Sequence, residues 1–194
     1  AYRDFQCSET VQSALSRATY PERISVTVVE QTVPGAGDPS CTPVCDTEEA
    51  FATDVRCKHA DRIKVFWMDA RNATGPVLAR HVSSRMYRGE AFVLQVDAHV
   101  QFAQGWDESI FDQWRKTGNE NAVLTTYLSD VQGSLDAEGH SLRTTRPIMC
   151  NSAFVEGNTS VPYMRHGAQP EEEPAIKDQP MLQPFWAAGF SFAR

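Results

Sequence analysis

No stretch of this 194-residue sequence approaches the ~18 consecutive apolar residues of a membrane-spanning helix. No basic segment followed by an apolar one is visible either, so the sequence offers no signal-peptide pattern. Positive charge is scarce and scattered: 18 Lys and Arg stand against 25 Asp and Glu, a net charge of −7. That balance argues against wrapping a nucleic-acid backbone. It leaves room for a small polyanionic ligand, because a bound metal ion can supply the local positive charge. Cysteines number five, at positions 7, 41, 45, 57 and 150. An odd count with uneven spacing argues against a complete disulfide framework. One disulfide in a loop, or free thiols, is the expectation, ahead of a zinc site built from Cys41, Cys45, Cys57 and His59. The sequons at Asn72 and Asn158 are common by chance. No internal repeat is present.

What is present is alternation. Ser8 can cap a helix whose apolar face is Val11, Ala14, Leu15 and Ala18, ended by Pro21. "RISVTVVEQ" reads as a buried strand, and residues 34 to 60, with Pro34, Gly35, Gly37, Pro39 and Pro43, as a loop. "IKVFWMD" is a second strand. Pro76 opens a helix predicted to run to about Arg88, with Val77, Leu78, Val82 and Met86 facing inward. "AFVLQVD" is a third strand, "WDESIFDQWRK" a helix, and "AVLTTY" a fourth strand. Residues 129 to 145 read as loop, 146 to 155 as a possible strand, and "QPEEEPAIKDQP" as a surface segment. "QPFWAAGFSF" closes the chain with an apolar run. Strand and helix in alternation predict an α/β sandwich with a largely parallel sheet.

Within "LQVDAHVQF", residues 94 to 102, Asp97 and His99 fall where the third strand ends. Ligands of such sheets bind beyond the carboxyl ends of the strands. Residues two apart on an extended chain point to one side, so this pair can converge on one point. A carboxylate oxygen and an imidazole nitrogen suit Mn²⁺, Zn²⁺ or Fe. The bland alternative is a strand end whose aspartate merely accepts backbone N–H groups. A metallophosphoesterase reading of Asp-x-His fails on spacing, because "GNEN" at 118 to 121 lacks the required histidine and comes too soon.

Three blocks carry a resemblance. They are residues 1 to 31, residues 73 to 108 and "PFWAAGFSF". The middle block is strongest, through Gly75-Pro76, Ala79-Arg80, Arg88-Gly89-Glu90, Asp97-x-His99 and Gly105-Trp106-Asp107. Nearly the whole chain resembles the family of polypeptide N-acetylglucosaminyltransferases that includes the enzymes modifying hydroxyproline on a cytoplasmic ubiquitin-ligase adaptor. It is more distantly similar to the polypeptide N-acetylgalactosaminyltransferases. The resemblance implies one GT-A-like (Rossmann-like) domain over residues 1 to 194. It further implies transfer of GlcNAc from UDP-GlcNAc to a protein hydroxyl, hydroxyproline among them, with retention of configuration.

The resemblance also implies roles. Mn²⁺ or another divalent ion would be held by Asp97 and His99. The nucleotide sugar would be met by Arg3 and Asp4 at uracil or ribose, and by Gln31, Arg80 and Asp97. Trp186 and Gly189 would lie near the donor sugar. Trp106 and Asp107 would begin and cap a helix rather than touch substrate. No residue stands out as a nucleophile, which is compatible with front-side transfer. His59, His81, His140 and His166 fit no motif. The family has a full strand before the Tyr2-Arg3-Asp4 position and continues past Arg194, so a domain cropped at both ends is expected, with a third metal ligand among what is missing. Two alternatives stay open: an inactive nucleotide-sugar-binding module, and a transferase using another UDP-sugar such as UDP-GalNAc. No nucleic-acid partner is expected. The resemblance and the odd cysteine count point to the cytoplasm, a reading that an N-terminal anchor outside these residues would reverse.

Overall fold

A computed structural model of the chain describes residues 1–143, 152–156, 161–165 and 180–194. It divides into two compact units, residues 1–90 with 98–108, and residues 91–97 with 109–194.

In the first unit, helix α1 (Cys7–Ser16) buries Cys7, Val11, Ala14 and Leu15, the face its spacing predicts. The helix starts earlier than Ser8, which is therefore no cap: its hydroxyl and carbonyl both accept from the Arg56 guanidinium. Strands β1 (Val26–Thr32) and β2 (Ile63–Asp69) pair in parallel, from Val26 opposite Ile63 to Thr32 opposite Asp69. β1 is buried over Val28, Val29, Glu30 and Gln31, so both its faces are covered, as its unbroken run of β-branched residues requires. Tyr2 adds a parallel bridge beside Gln31.

The stretch predicted as loop between these strands holds two short helices, α2 (Glu48–Thr53) and α3 (Val55–Lys58). Thr47 and Asp54 cap them, each accepting a backbone N–H of the first turn. Two disulfides, Cys7–Cys41 and Cys45–Cys57, tie this region down. The expectation of one disulfide or free thiols is thereby corrected, and no cysteine of the group remains for zinc. The odd count misled because it comes from Cys150, which lies outside the described residues.

Helix α4 (Pro76–Ser84) is shorter than predicted and buries none of its residues completely; Val77 points outward. It meets β1 through a hydroxyl pair, Thr27 Oγ1 to Ser83 Oγ at 3.1 Å. The core of this unit gathers Cys7, Val11, Leu15, Val28 and Cys41, with Ile24, Val26, Val55 and Ile63 against it.

The second unit carries β3 (Val93–Val96), most of α5 (Trp106–Lys116), β4 (Leu124–Thr125), β5 (Ala153–Val155), β6 (Tyr163–Arg165) and β7 (Phe190–Ala193). β7 lies between β3 and β4 and is antiparallel to both. β5 and β6 form a separate antiparallel pair. Among the described residues, parallel pairing between strands is thus confined to β1 and β2, and in place of the predicted largely parallel sheet they form a mixed α/β architecture with small sheets. Strand and helix alternate as read, but local pattern does not encode which strand lies beside which. Phe92 is the hub of the aromatic packing: its ring meets Phe111 and Trp114 edge-on at 5.3 and 4.8 Å and stacks on Phe192 at 5.2 Å.

Candidate functional site

Residues 1 to 4 run beside the carboxyl end of β1. The Arg3 N–H donates to the Gln31 carbonyl at 2.9 Å, and the Gln31 N–H donates to the Ala1 carbonyl at 2.8 Å. Arg3 takes a left-handed backbone conformation, φ 49°, which costs a residue with a Cβ about 1–2 kcal/mol. It is held there by that backbone bond and by Asp38, whose carboxylate takes the Arg3 guanidinium at 2.9 to 3.0 Å. Asp38 also accepts the Val33 N–H at 2.8 Å. The fork from Arg3, and then the Val33 N–H, hold the Asp38 carboxyl below its ordinary range.

Two of the residues expected at the nucleotide have partners within the chain. The Arg3 guanidinium is engaged by the Asp38 carboxylate and so helps to fix the loop. Gln31 is 3% exposed, its amide directed to the Met68 sulfur at 3.1 Å. A side chain enclosed in this way is part of the core.

Asp4 faces His99 instead. Its Oδ2 lies 2.9 Å from His99 Nδ1, while its Oδ1 accepts the Gln6 N–H at 2.9 Å. The Asp4 side chain is mostly enclosed and that of His99 is 55% exposed. The chain on either side of His99 is tied to α1: the Thr10 hydroxyl donates to the Ala98 carbonyl at 2.8 Å and accepts the Val100 N–H at 3.0 Å. Arg80 lies half-buried in the middle of α4.

In the second unit, Asp97 follows β3 and its N–H donates to the Gly189 carbonyl at 3.2 Å. A Cβ placed on Gly189 would stand 2.6 Å from Asp97 Oδ2, closer than atoms can approach. The turn carrying Gly189 is pinned from two sides. The Gln95 amide donates to the Ala188 carbonyl at 2.8 Å, and the Thr125 hydroxyl accepts the Ala187 N–H at 2.9 Å. Ala187 is fully enclosed, whereas Trp186 is 51% exposed, an open ring face next to this turn. Of the phenylalanines in this closing run, Phe192 is core and Phe185 and Phe190 are half-buried.

Trp106 begins α5 and its indole N–H donates to the Ala14 carbonyl at 2.9 Å. Asp107 holds other backbone, accepting the Thr19 and Tyr20 N–H groups. No cluster of three or more His, Cys, Asp or Glu side chains forms a metal cage among the described residues. A polar cavity of about 180 Å³ opens in the first unit at the amino ends of β1 and β2, lined by Thr27, Asp61, Arg62, Lys64, Arg88 and Glu90. It contains none of the residues selected above.

Comparison with known protein families gives the class of the molecule, a glycosyltransferase. The matching family is described as Glycosyltransferase (GlcNAc); residues 1–55 and 40–194 match, and the chain belongs to this family. It is accordingly an enzyme that takes its sugar from a UDP-sugar and needs a nucleotide sugar and an acceptor as partners. No curated protein and no solved structure matches it. No helix among the described residues is long and apolar enough to cross a membrane.

Sequence reasoning missed Asp38, the disulfide pairs and the partnership of Asp4 with His99. Asp38 sits in a Gly- and Pro-rich loop with no pattern to mark it. Four cysteines within residues 7 to 57 were the one usable signal for the pairs.

Proposed function

We propose that this chain is a GT-A-like domain that transfers GlcNAc from UDP-GlcNAc to a protein hydroxyl, that of hydroxyproline in the first instance, with retention of configuration. The observation that carries the reading is the approach of Gly189 to Asp97. Two segments 92 residues apart, singled out separately as the metal strand and the donor-sugar turn, meet with only bare backbone between them. Glycine at such a point lets the chain come close to a carboxylate and to whatever that carboxylate binds.

In this reading Asp97 and His99 would supply a carboxylate oxygen and an imidazole nitrogen, donor types that suit a divalent cation such as Mn²⁺. His99 is half exposed, with its Nδ1 engaged by Asp4. Bound there, the ion would neutralise charge on the departing UDP. In this reading Trp186 offers an apolar face beside the sugar, Gly189 admits it, and Arg80 supplies a guanidinium toward the diphosphate. The acceptor proton passes to the departing diphosphate oxygen, a route that needs no nucleophilic side chain.

The two disulfides argue for an oxidising compartment and against the cytoplasm. The acceptor is then a protein met in that compartment.

Calorimetric titration of UDP-GlcNAc tests the reading, with and without Mn²⁺, on the wild type and on Asp97→Ala. Mn²⁺-dependent binding that disappears in the variant supports it. Binding indifferent to both the ion and Asp97 sinks the metal site. Tighter binding of UDP-GalNAc in a parallel titration would reassign the donor.

A further inference from the structure

The strip of chain around His99 is held more closely than a metal ligand alone requires. Thr10 and Ser13 in α1, and Arg17 just after its end, recur at spacings of three and four residues. Each grips this strip. Thr10 bonds Ala98 and Val100, the Ser13 hydroxyl accepts the Phe102 N–H at 3.3 Å, and Arg17 donates to the Phe102 carbonyl at 2.8 Å. Thr10 and Ser13 are buried polar groups, and these bonds account for their burial. The backbone of His99 is therefore fixed, while its side chain remains half exposed. Among the described residues, the hydrogen-bond partner of the ring is Asp4, whose Oδ2 lies 2.9 Å from Nδ1.

We infer that Asp4 is the positioning residue for His99: its carboxylate holds the ring in the tautomer with the proton on Nδ1 and turns Nε2 outward as the metal-binding nitrogen. An ionised carboxylate only accepts hydrogen bonds, so the nitrogen facing it must carry the proton. The lone pair of a neutral ring then sits on Nε2. Carboxylate–histidine pairs of this kind fix the orientation of metal-ligating imidazoles and raise their basicity. Asp4 is itself anchored, because its other oxygen takes the Gln6 N–H at the start of α1. This assigns Asp4 a role behind the ligand, in place of contact with uracil or ribose. The inference rests on the metal reading above.

The test uses the full chain and Mn²⁺ as the probe. Nitrogen-15 spectra of the His99 ring, recorded on metal-free wild type above the imidazole titration range, should show the proton on Nδ1. Mn²⁺ affinity, measured by calorimetry in the presence of UDP, should fall about 10- to 100-fold in Asp4→Asn and Asp4→Ala. Asp4→Asn preserves an acceptor for the Gln6 N–H and so guards against loss of folding. With that oxygen engaged, it presents an NH₂ group to Nδ1 and favours the wrong tautomer. A wild-type ring protonated on Nε2, or Asp4→Asn binding Mn²⁺ as the wild type does while His99→Ala binds it weakly, overturns the assignment of Asp4. Undiminished Mn²⁺ binding by His99→Ala overturns the metal reading itself, and this inference with it.

Discussion

At Gly189 the absence of a side chain is a positive requirement. The backbone there is not left-handed, so alanine would meet no conformational penalty. Its methyl group would instead stand 2.6 Å from Asp97 Oδ2, and the carboxylate would have to turn away. Gly189→Ala should therefore fold normally and lose about tenfold in Mn²⁺-dependent UDP-GlcNAc affinity, equivalent to about 1.4 kcal/mol. Equal affinity for the two proteins, by calorimetry, would show that the position of Asp97 does not matter to the donor. Asp38 makes another case. Its carboxyl titrates below the ordinary aspartate value of 3.8, first through the Arg3 hydrogen bonds and then through the Val33 N–H. A lowered carboxyl stabilises the fold fully above its unfolded value, and the contribution is lost as pH falls through the folded one. Wild type should thus exceed Asp38→Asn in urea resistance above about pH 4, and the two should converge in stronger acid. The place of Asp97 at the end of β3 was legible from the strand pattern before it. The partners of Arg3 and Asp4 were not, because they depend on which distant segments, carrying Asp38 and His99, fold against residues 3 and 4.

Among the elements, α1 works twice. Its apolar stripe of Val11, Ala14 and Leu15 enters the core, and its polar residues Thr10 and Ser13, with Arg17 just past its end, hold the chain from Ala98 to Phe102. Periodicity marks the apolar stripe in the sequence. The polar residues have no such mark, because Thr, Ser and Arg are also what a solvent-facing surface carries, and only the fold supplies their partners. The helix is also tied by Cys7 to Cys41, across 34 residues. Beside that bond the buried Glu30 carboxylate accepts the Cys41 N–H at 2.7 Å and the Ser40 hydroxyl at 3.1 Å. The loop carrying Asp38 is thus anchored at one end by a covalent link and a buried carboxylate. On loop-closure entropy, removing a link of this span costs about 3–4 kcal/mol. Cys7→Ser/Cys41→Ser should lower stability by that order in urea titrations. It should also loosen the grip of Asp38 on Arg3, seen as faster amide exchange at Val33 and Arg3. Unchanged stability would mean that the hydrogen bonds of Glu30 and Asp38 hold the loop without the disulfide. Strands β1 to β4 were each placed within a few residues from pattern alone. β7 was legible only as an apolar run, and its position between β3 and β4 was not, since antiparallel pairing across more than sixty residues leaves no local trace.

For the whole molecule, the cysteines bear on where the enzyme works. A family that includes cytoplasmic enzymes suggested the cytoplasm, and the odd cysteine count agreed. Yet the structure pairs four of the five cysteines, and such bonds persist in oxidising compartments rather than reducing ones. The two readings predict different chemistry on the same chain. If the disulfides form where the protein is made, denatured but unreduced enzyme should release at most one reactive thiol per chain, and reduction should bring the count to five. Material made in a reducing cytosol should show more free thiols, a lower unfolding midpoint, and weaker UDP-GlcNAc binding because the loop next to Arg3 is no longer anchored. Five free thiols in protein from its native source, with full donor binding, would return the enzyme to the cytoplasm and make both disulfides dispensable. One thiol or none, with binding lost on reduction, would join the compartment to the site, because the cross-link holding the loop of Asp38 would then be a condition for binding the nucleotide sugar.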